Sequence, residues 1–171
     1  MLQEGSRNFD TVLWPHLRAA YSFARWLVRN DHDAEDIVQE SFVKAFLGLD
    51  RFRGGDARVW LLAIVRNTAM SLLRQRRSEP SLDQEDAPEP PDDAQCVEET
   101  LIARERRNRL RTAIGRLPGE FRETLILREL EGLSYKEIAG VLDIPVGTVM
   151  SRLARARNLL IRELAAERGA R

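Results

Sequence analysis

The sequence predicts an all-α protein: two small helical domains joined by a flexible acidic linker. Three observations predict it. Apolar residues recur at the helical period in segments bounded by capping residues, and no strand-like alternation persists anywhere. A strip rich in proline and acid, SEPSLDQEDAPEPPDDAQ, divides the 171 residues at Ser78 to Gln95. Charge is segregated around that strip, so the formal net charge of +0 conceals two basic lobes. Residues 1–78 carry twelve bases against nine acids, and residues 100–171 carry fifteen against nine. Residues 79–99 carry nine acids and no base.

In the first lobe, a helix is expected from about Phe9 to Arg29, with Pro15 tolerated in an early turn. A second is expected from about Ala34 to Leu47, after the capping candidate Asp33. Asp33, Glu35, Asp36 and Glu40 make its surface acidic. That face is either a solvated helix surface or a protein-docking one. Arg51-Phe52-Arg53-Gly54-Gly55 reads as a loop, and Asp56 can cap a third helix from about Ala57 to Gln75. Leu61, Ile64, Val65, Thr68 and Leu72 share its buried face, with Arg66, Asn67, Met70 and Arg74 opposite. The basic end, Arg74-Gln75-Arg76-Arg77, suits a helix C-terminus electrostatically and suits phosphate contact equally.

The strip that follows has the composition of an extended, mobile linker. About twenty residues at roughly 3.3–3.6 Å each reach some 65–70 Å. That is on the order of two turns of DNA, at about 34 Å per turn. The expected domains are 1–78 and 98–171, with the linker at 79–97.

The second lobe adds helices of about Glu98–Arg116 and Gly119–Glu129, punctuated by Pro118 and Gly132. Then comes LSYKEIAGVLDIPVGTVMSRLARAR, Leu133 to Arg157, which reads as a helix-turn-helix. Ser134 and Glu137 form a capping box, and Leu133 with Ile138 a hydrophobic staple. Ile138, Ala139 and Leu142 supply the buried face of this helix. Asp143-Ile144-Pro145 breaks it, and Pro145 pre-sets the backbone for the next. In that second helix Val146, Val149, Leu153, Ala156 and Leu160 should pack inward. Gly147, Thr148, Ser151, Ala154, Arg155 and Asn158 form the polar face, flanked by Met150 and Arg152. Small residues near the start allow close approach to a groove, and arginine offers a donor fork to guanine edges or phosphates. Cap, turn and two-faced helix together point to DNA binding in the major groove.

Other chemistry is not expected. His16 and His32 are the only histidines, neither in a metal-ligand spacing with Cys96, the single cysteine. The sequence holds no P-loop, dinucleotide fingerprint or G-x-S-x-G. No cofactor, metal or enzymatic activity is therefore expected. No apolar run approaches a membrane span, so no membrane insertion is expected. The start MLQEGSRNFD lacks a secretory signal, so the expected location is cytoplasmic.

With these segments in order, the chain resembles an extracytoplasmic-function (ECF, group IV) sigma factor of bacterial RNA polymerase. DAEDIVQESFVKAF, Asp33 to Phe46, resembles sigma region 2.2. RFRGGDARVWLLAIVRNTAMSLLRQRR, Arg51 to Arg77, resembles regions 2.3 and 2.4. LPGEFRETLILRELEGLSYKEIAGVLDIPVGTVMSRLARAR, Leu117 to Arg157, resembles region 4. The resemblance implies a promoter-specificity subunit with no catalytic chemistry. Its partners would be core RNA polymerase, through the β′ clamp helices and β flap, and promoter DNA. An anti-sigma factor is the family's usual control.

The resemblance assigns polymerase docking to Asp36, Gln39 and Glu40, with Phe42 and Phe46 packing. It assigns the downstream, −10 element and strand opening to Arg51, Phe52, Arg53, Gly54, Asp56, Arg66, Asn67, Arg74, Arg76 and Arg77. It assigns the upstream, −35 element to Lys136, Thr148, Ser151, Arg152 and Arg155. Met150 and Ala154 stand where many members carry a cation and some a bulky aromatic, which puts the upstream sequence in question. The acidic linker either mimics phosphates in polymerase channels or serves as a tether. Two rival readings stand beside this one: a helix-turn-helix regulator independent of polymerase, and a decoy that only sequesters an anti-sigma factor. The first would leave the docking motif idle. The second predicts degenerate DNA-facing residues, whereas Arg152, Arg155 and the Arg74–Arg77 cluster are intact.

Overall fold

The computed structural model describes residues 9–28, 30–78 and 100–169, and helices are the only regular elements among them. The linker at 79–97, Cys96 and Arg29 lie outside the described residues.

Pro15 divides the expected first helix. A helical turn at 9–12 gives way to a 3-10 turn, Trp14–His16, and only then to α1, Leu17–Leu27. A proline nitrogen has no hydrogen to donate, so the ladder restarts after it. Helix α2, Asp31–Gly48, begins earlier than expected, because Asn30 rather than Asp33 is the cap. The Asn30 side chain accepts from the Asp33 amide at 2.8 Å, and its Nδ2 donates to the Asp33 carboxylate at 2.8 Å. A 3-10 turn, Leu49–Arg51, leads to Gly54 and Gly55, whose φ angles of 89° and 104° favour glycine. Helix α3, Ala57–Ser78, is capped as expected: Asp56 Oδ1 accepts from the amides of Arg58 and Val59. Helices α1, α2 and α3 pack on one another through Phe23, Ile37, Leu61, Leu62 and Val65, each 0–1% exposed.

The second lobe opens with α4, Leu101–Gly115, capped by Thr100 rather than starting at Glu98. It continues through α5, Gly119–Glu129, α6, Tyr135–Leu142, and α7, Val146–Gly169. Leu127, Leu133, Ile138, Leu142 and Leu153 form its interior. Helix α7 packs against α4, α5 and α6, so the last helix is the spine of this lobe.

The lobes do not stand apart. Helix α1 packs on α5, and α3 packs on α6, so the buried residues of both lobes join in one core. Arg122 of α5 donates through Nε to the Trp26 carbonyl of α1 at 3.0 Å. Arg66 of α3 grips the Glu123 carboxylate of α5 at 3.2 and 3.3 Å. Burial pushes the Glu131 carboxyl above its ordinary value, and the charge of Arg58 on α3 only partly offsets this.

Within the first lobe, Asp33 is a second buried carboxylate, 4% exposed, held by both terminal nitrogens of Arg76. Burial alone would raise its pKa. Hydrogen bonds from Arg76 and Asn30, with the Arg76 charge, outweigh burial and hold it below the ordinary 3.8. A depressed folded pKa stabilises the fold above 3.8, and that stabilisation is lost as pH falls through the folded value. Asp33→Asn is expected to cost about 1–3 kcal/mol at neutral pH. In urea unfolding the gap to the wild type should close as pH drops below 3.8. A gap that stayed equal at neutral and acid pH would rule out the charged pair as its source.

Candidate nucleic-acid interface

The helix-turn-helix forms through local chemistry. The Ser134 amide donates to Glu137 Oε2 at 2.7 Å, and the Glu137 amide donates to Ser134 Oγ at 3.2 Å, closing both arms of the capping box. The staple residues Leu133 and Ile138 are fully buried. Arg128 lies 5.0 Å from the centre of the Tyr135 ring and donates to the Leu133 carbonyl, fixing the approach to α6. The turn closes at Asp143, which takes the left-handed conformation at φ 54° while the Ile144 amide reaches back to the Ala139 carbonyl. The Pro145 carbonyl then accepts from the amides of Thr148 and Val149, starting α7.

Val149, Leu153 and Ala156 are buried as their spacing predicts, and Leu160 partly. Val146 differs: it is 41% exposed, because the inward cover of α7 begins one turn further along. Gly147, Met150, Ser151, Ala154, Arg155 and Asn158 form a continuous exposed face, with Thr148 half-buried beside them. Ser151 Oγ donates to its own helix, at the Thr148 carbonyl. Lys136, on α6, is exposed.

Arg152 separates from its neighbours. Its guanidinium lies 3.4 Å from Glu120 and 3.6 Å from Glu123, and its side chain is 20% exposed. It ties α7 to α5, whereas Arg155 projects from the exposed face. Position 152 flanks the buried row 149, 153 and 156, and α5 carries acids three residues apart. Those were the signals for a tether. Arg157 is tied similarly, to Glu129 at 2.9 Å.

The first lobe sorts its candidates the same way. Arg51, Arg53, Gly54, Asp56, Asn67 and Arg77 are exposed. Phe52 is half-buried, its ring 5.0 Å from that of Trp60, which anchors the loop from within. Asp56 already serves as a helix cap. Arg66, expected opposite the buried face of α3, faces the second lobe and Glu123. Arg74 Nε donates to the Met70 carbonyl, and Arg76 is occupied by Asp33.

On α2, Asp36, Gln39 and Glu40 are exposed on one face. Glu40 pairs with Lys44 at 2.6 Å. The face continues into Val43 and Leu47, 58% and 75% exposed, which the sequence reading passed over. The spacing 36, 40, 43, 47 is the helical period, so the signal was present. Phe42 is buried, but Phe46 is half-exposed, its ring edge-on to Phe9 at 5.4 Å. Among the described residues no His, Cys, Asp or Glu group could hold a metal ion, and no helix is long and apolar enough to cross a membrane.

Removing a tether should cost stability and removing a projecting arginine should not. Arg152→Ala is expected to destabilise the chain by about 1–3 kcal/mol, since it strips a nearly buried carboxylate of a partner. Arg155→Ala should stay within about 0.5 kcal/mol of the wild type. Urea denaturation of both variants checks this; equal losses would erase the distinction.

The comparisons with known proteins agree with this geometry. The family profile for sigma-70 region 2 matches residues 15–79, and that for sigma-70 region 4 matches residues 107–160. The ECF RNA polymerase sigma-E factor of Salmonella typhimurium is 43% identical over 138 residues, 75% of this chain and 72% of that protein. The ECF RNA polymerase sigma factor SigE of Mycolicibacterium smegmatis is 33% identical over 163 residues, 92% of this chain and 62% of that protein. Among solved structures, the sigma factor RpoE of Bartonella quintana, in complex with the anti-sigma factor NepR, matches with a TM-score of 0.77 and 28% identity. That match covers 93% of this chain and 98% of the other. CnrH, solved with the cytosolic domain of CnrY, matches with a TM-score of 0.67 and 30% identity, covering 96% and 94%. Both profiles and a relative at this identity lead to one conclusion: the chain belongs to the ECF sigma factors of the sigma-70 family.

Proposed function

We propose that this chain is a promoter-specificity subunit of bacterial RNA polymerase, working in the cytoplasm without bond chemistry of its own. One observation carries the reading: a single folded chain leaves uncovered both a groove-sized polar helix face on α7 and a mixed polar and apolar face on α2. The first suits a DNA major groove. The second suits a protein, since exposed Val43 and Leu47 beside Asp36, Gln39 and Glu40 join an apolar anchor to a polar rim.

Residues 1–78 would dock on core polymerase and take up the downstream element, and residues 98–171 would read the upstream one. Residues 79–97 would connect them. Arg51, Arg53 and the Gly54-Gly55 pair, both at positive φ, form an exposed loop next to the Phe52–Trp60 stack, a setting suited to holding an extruded base. At the upstream site Ser151, Arg155 and Lys136 would contact DNA directly, with Thr148 at the edge and Arg152 aligning the helix. Control by an anti-sigma factor is part of the proposal. The RpoE–NepR likeness spans both lobes, so the packed arrangement here matches that of a sigma factor beside an anti-sigma.

Transcription in vitro with core polymerase on a genomic fragment library tests the reading. Start sites should share a pair of upstream and downstream elements; transcripts with no shared elements would sink it. On the resulting promoter, Arg155→Ala should lose about 1–3 kcal/mol of upstream discrimination while still assembling with polymerase. Binding to a randomised upstream element would show this, and an unchanged preference would remove Arg155 from the reading surface. At the other face, Asp36→Arg and Leu47→Asp should each weaken assembly with core polymerase by about tenfold or more, near 1.4 kcal/mol. Thermal unfolding should be nearly unchanged. Normal assembly in co-purification would exclude that face.

A further inference from the structure

We propose that an exposed apolar edge of α7, formed by Val146, Met150 and Ala154, selects thymine methyl groups in the upstream promoter element. The inference rests on the functional reading above, in which α7 meets DNA, and it names the chemical group that the helix selects there.

The exposed surface of α7 has two edges. At 3.6 residues per turn, Thr148, Ser151 and Arg155 fall along one edge, and Val146, Met150 and Ala154, four residues apart, fall along the other. Val146 is 41% exposed and Met150 55%, so neither belongs to the interior of its lobe. Ala154 continues the row and is exposed as well. Gly147 lies between the edges, and nothing stands within 4 Å of the place a side chain would take there. A ligand surface can therefore approach both edges at once. Arg157 flanks the apolar edge, but Glu129 holds its guanidinium at 2.9 Å. The first edge offers hydroxyl groups and a guanidinium, and the second offers only carbon and sulfur.

Apolar side chains scattered singly over a surface are ordinary. Three in one row, at the end of a helix that would enter a groove, are not scattered. The thymine methyl is the one bulky apolar group that bases present in the major groove; the others are hydrogen-bond donors and acceptors. An apolar edge pressed on a donor or acceptor removes its water without replacing the hydrogen bond, which is a loss. Pressed on a methyl, it takes apolar surface on both sides out of water, which is a gain. Met150 has the length and flexibility to follow a methyl, and the short side chain of Ala154 suits a close contact with one. Residues four apart rise about 6 Å along a helix, near two base-pair steps of about 3.4 Å. Met150 and Ala154 therefore address different base pairs. The row is too narrow to anchor a protein, since Gly147 and Ser151 border it on one side and the paired Arg157 on the other.

The test uses the full chain assembled with core polymerase. The holoenzyme selects from promoters randomised in the upstream element, and each thymine of the selected element is then replaced singly by uracil, which lacks only the methyl. For the wild type, one or two of these replacements should each lower affinity about fourfold, the effect of one buried methyl group. Met150→Leu should keep that sensitivity. Met150→Ala should bind the thymine and uracil forms alike at an affected position, and Met150→Arg should favour guanine there instead. A wild type indifferent to every uracil, or a Met150→Ala protein as sensitive as the wild type at every position, would overturn the inference. Loss of polymerase assembly in Met150→Ala would overturn it too, by giving the row to a protein. A wild type that selects no upstream element removes the sigma reading itself, whereas an element selected without regard to methyls removes only this inference.

Discussion

A carboxylate that stays ionised out of water needs compensating cations, and Glu123 makes that demand at the centre of this molecule. It lies on α5, where helices from both lobes converge, with almost no exposure to solvent. Arg152 answers from α7 and Arg66 from α3. The placement of α7 on α5 and of one lobe on the other both pass through this site. An apolar residue there would make neither demand, and two apolar faces can slide where an ion pair has one geometry. Buried polar contacts of this kind specify an arrangement more than they strengthen it.

The elements legible in the sequence are those whose causes are local. The capping box at Ser134 and Glu137, the cap at Asp56 and the break at Asp143 to Pro145 all depend on residues within one turn, and each formed where expected. The start of α2 was misplaced by three residues because Asn30 and Asp33 are both good caps, and their mutual hydrogen bond lets one cap while the other turns inward. Asp33 turns inward for a partner forty-three residues away, Arg76, which no local pattern discloses. The packing of the lobes was illegible for the same reason. Charge segregation and a proline-rich strip describe a chain that can separate; they are silent on whether complementary faces meet.

The candidate site divides along the same line. A sequence marks every arginine near a DNA-binding helix as a possible contact, yet geometry gives them two occupations. Arg66, Arg76 and Arg152 hold carboxylates, while Arg51, Arg53, Arg77 and Arg155 reach into solvent. The basic surface is thus smaller than composition implies, and its readers are fewer. The exposed Val43 and Leu47 were missed for the converse reason: residue type alone does not tell an outward apolar side chain on a helix from a core one, and only the fold leaves these two outside. Met150, more than half exposed on the polar face of α7, adds apolar surface where a cation would add attraction. Discrimination there would rely more on shape and on thymine methyl groups than in a chain with arginine at that position.

Helix α7 has twenty-four residues, and at about 1.5 Å per residue it is a rod some 36 Å long. Its first half carries the exposed polar face proposed to meet DNA, and its second half lies against α4, with Arg116 and Glu163 3.7 Å apart between them. A continuous helix without proline or an internal break transmits displacement along its axis instead of absorbing it. The angle at which Ser151 and Arg155 would meet a groove under the proposed function is therefore set partly at the far end of the lobe, and whatever presses on α4 steers the first turns of α7.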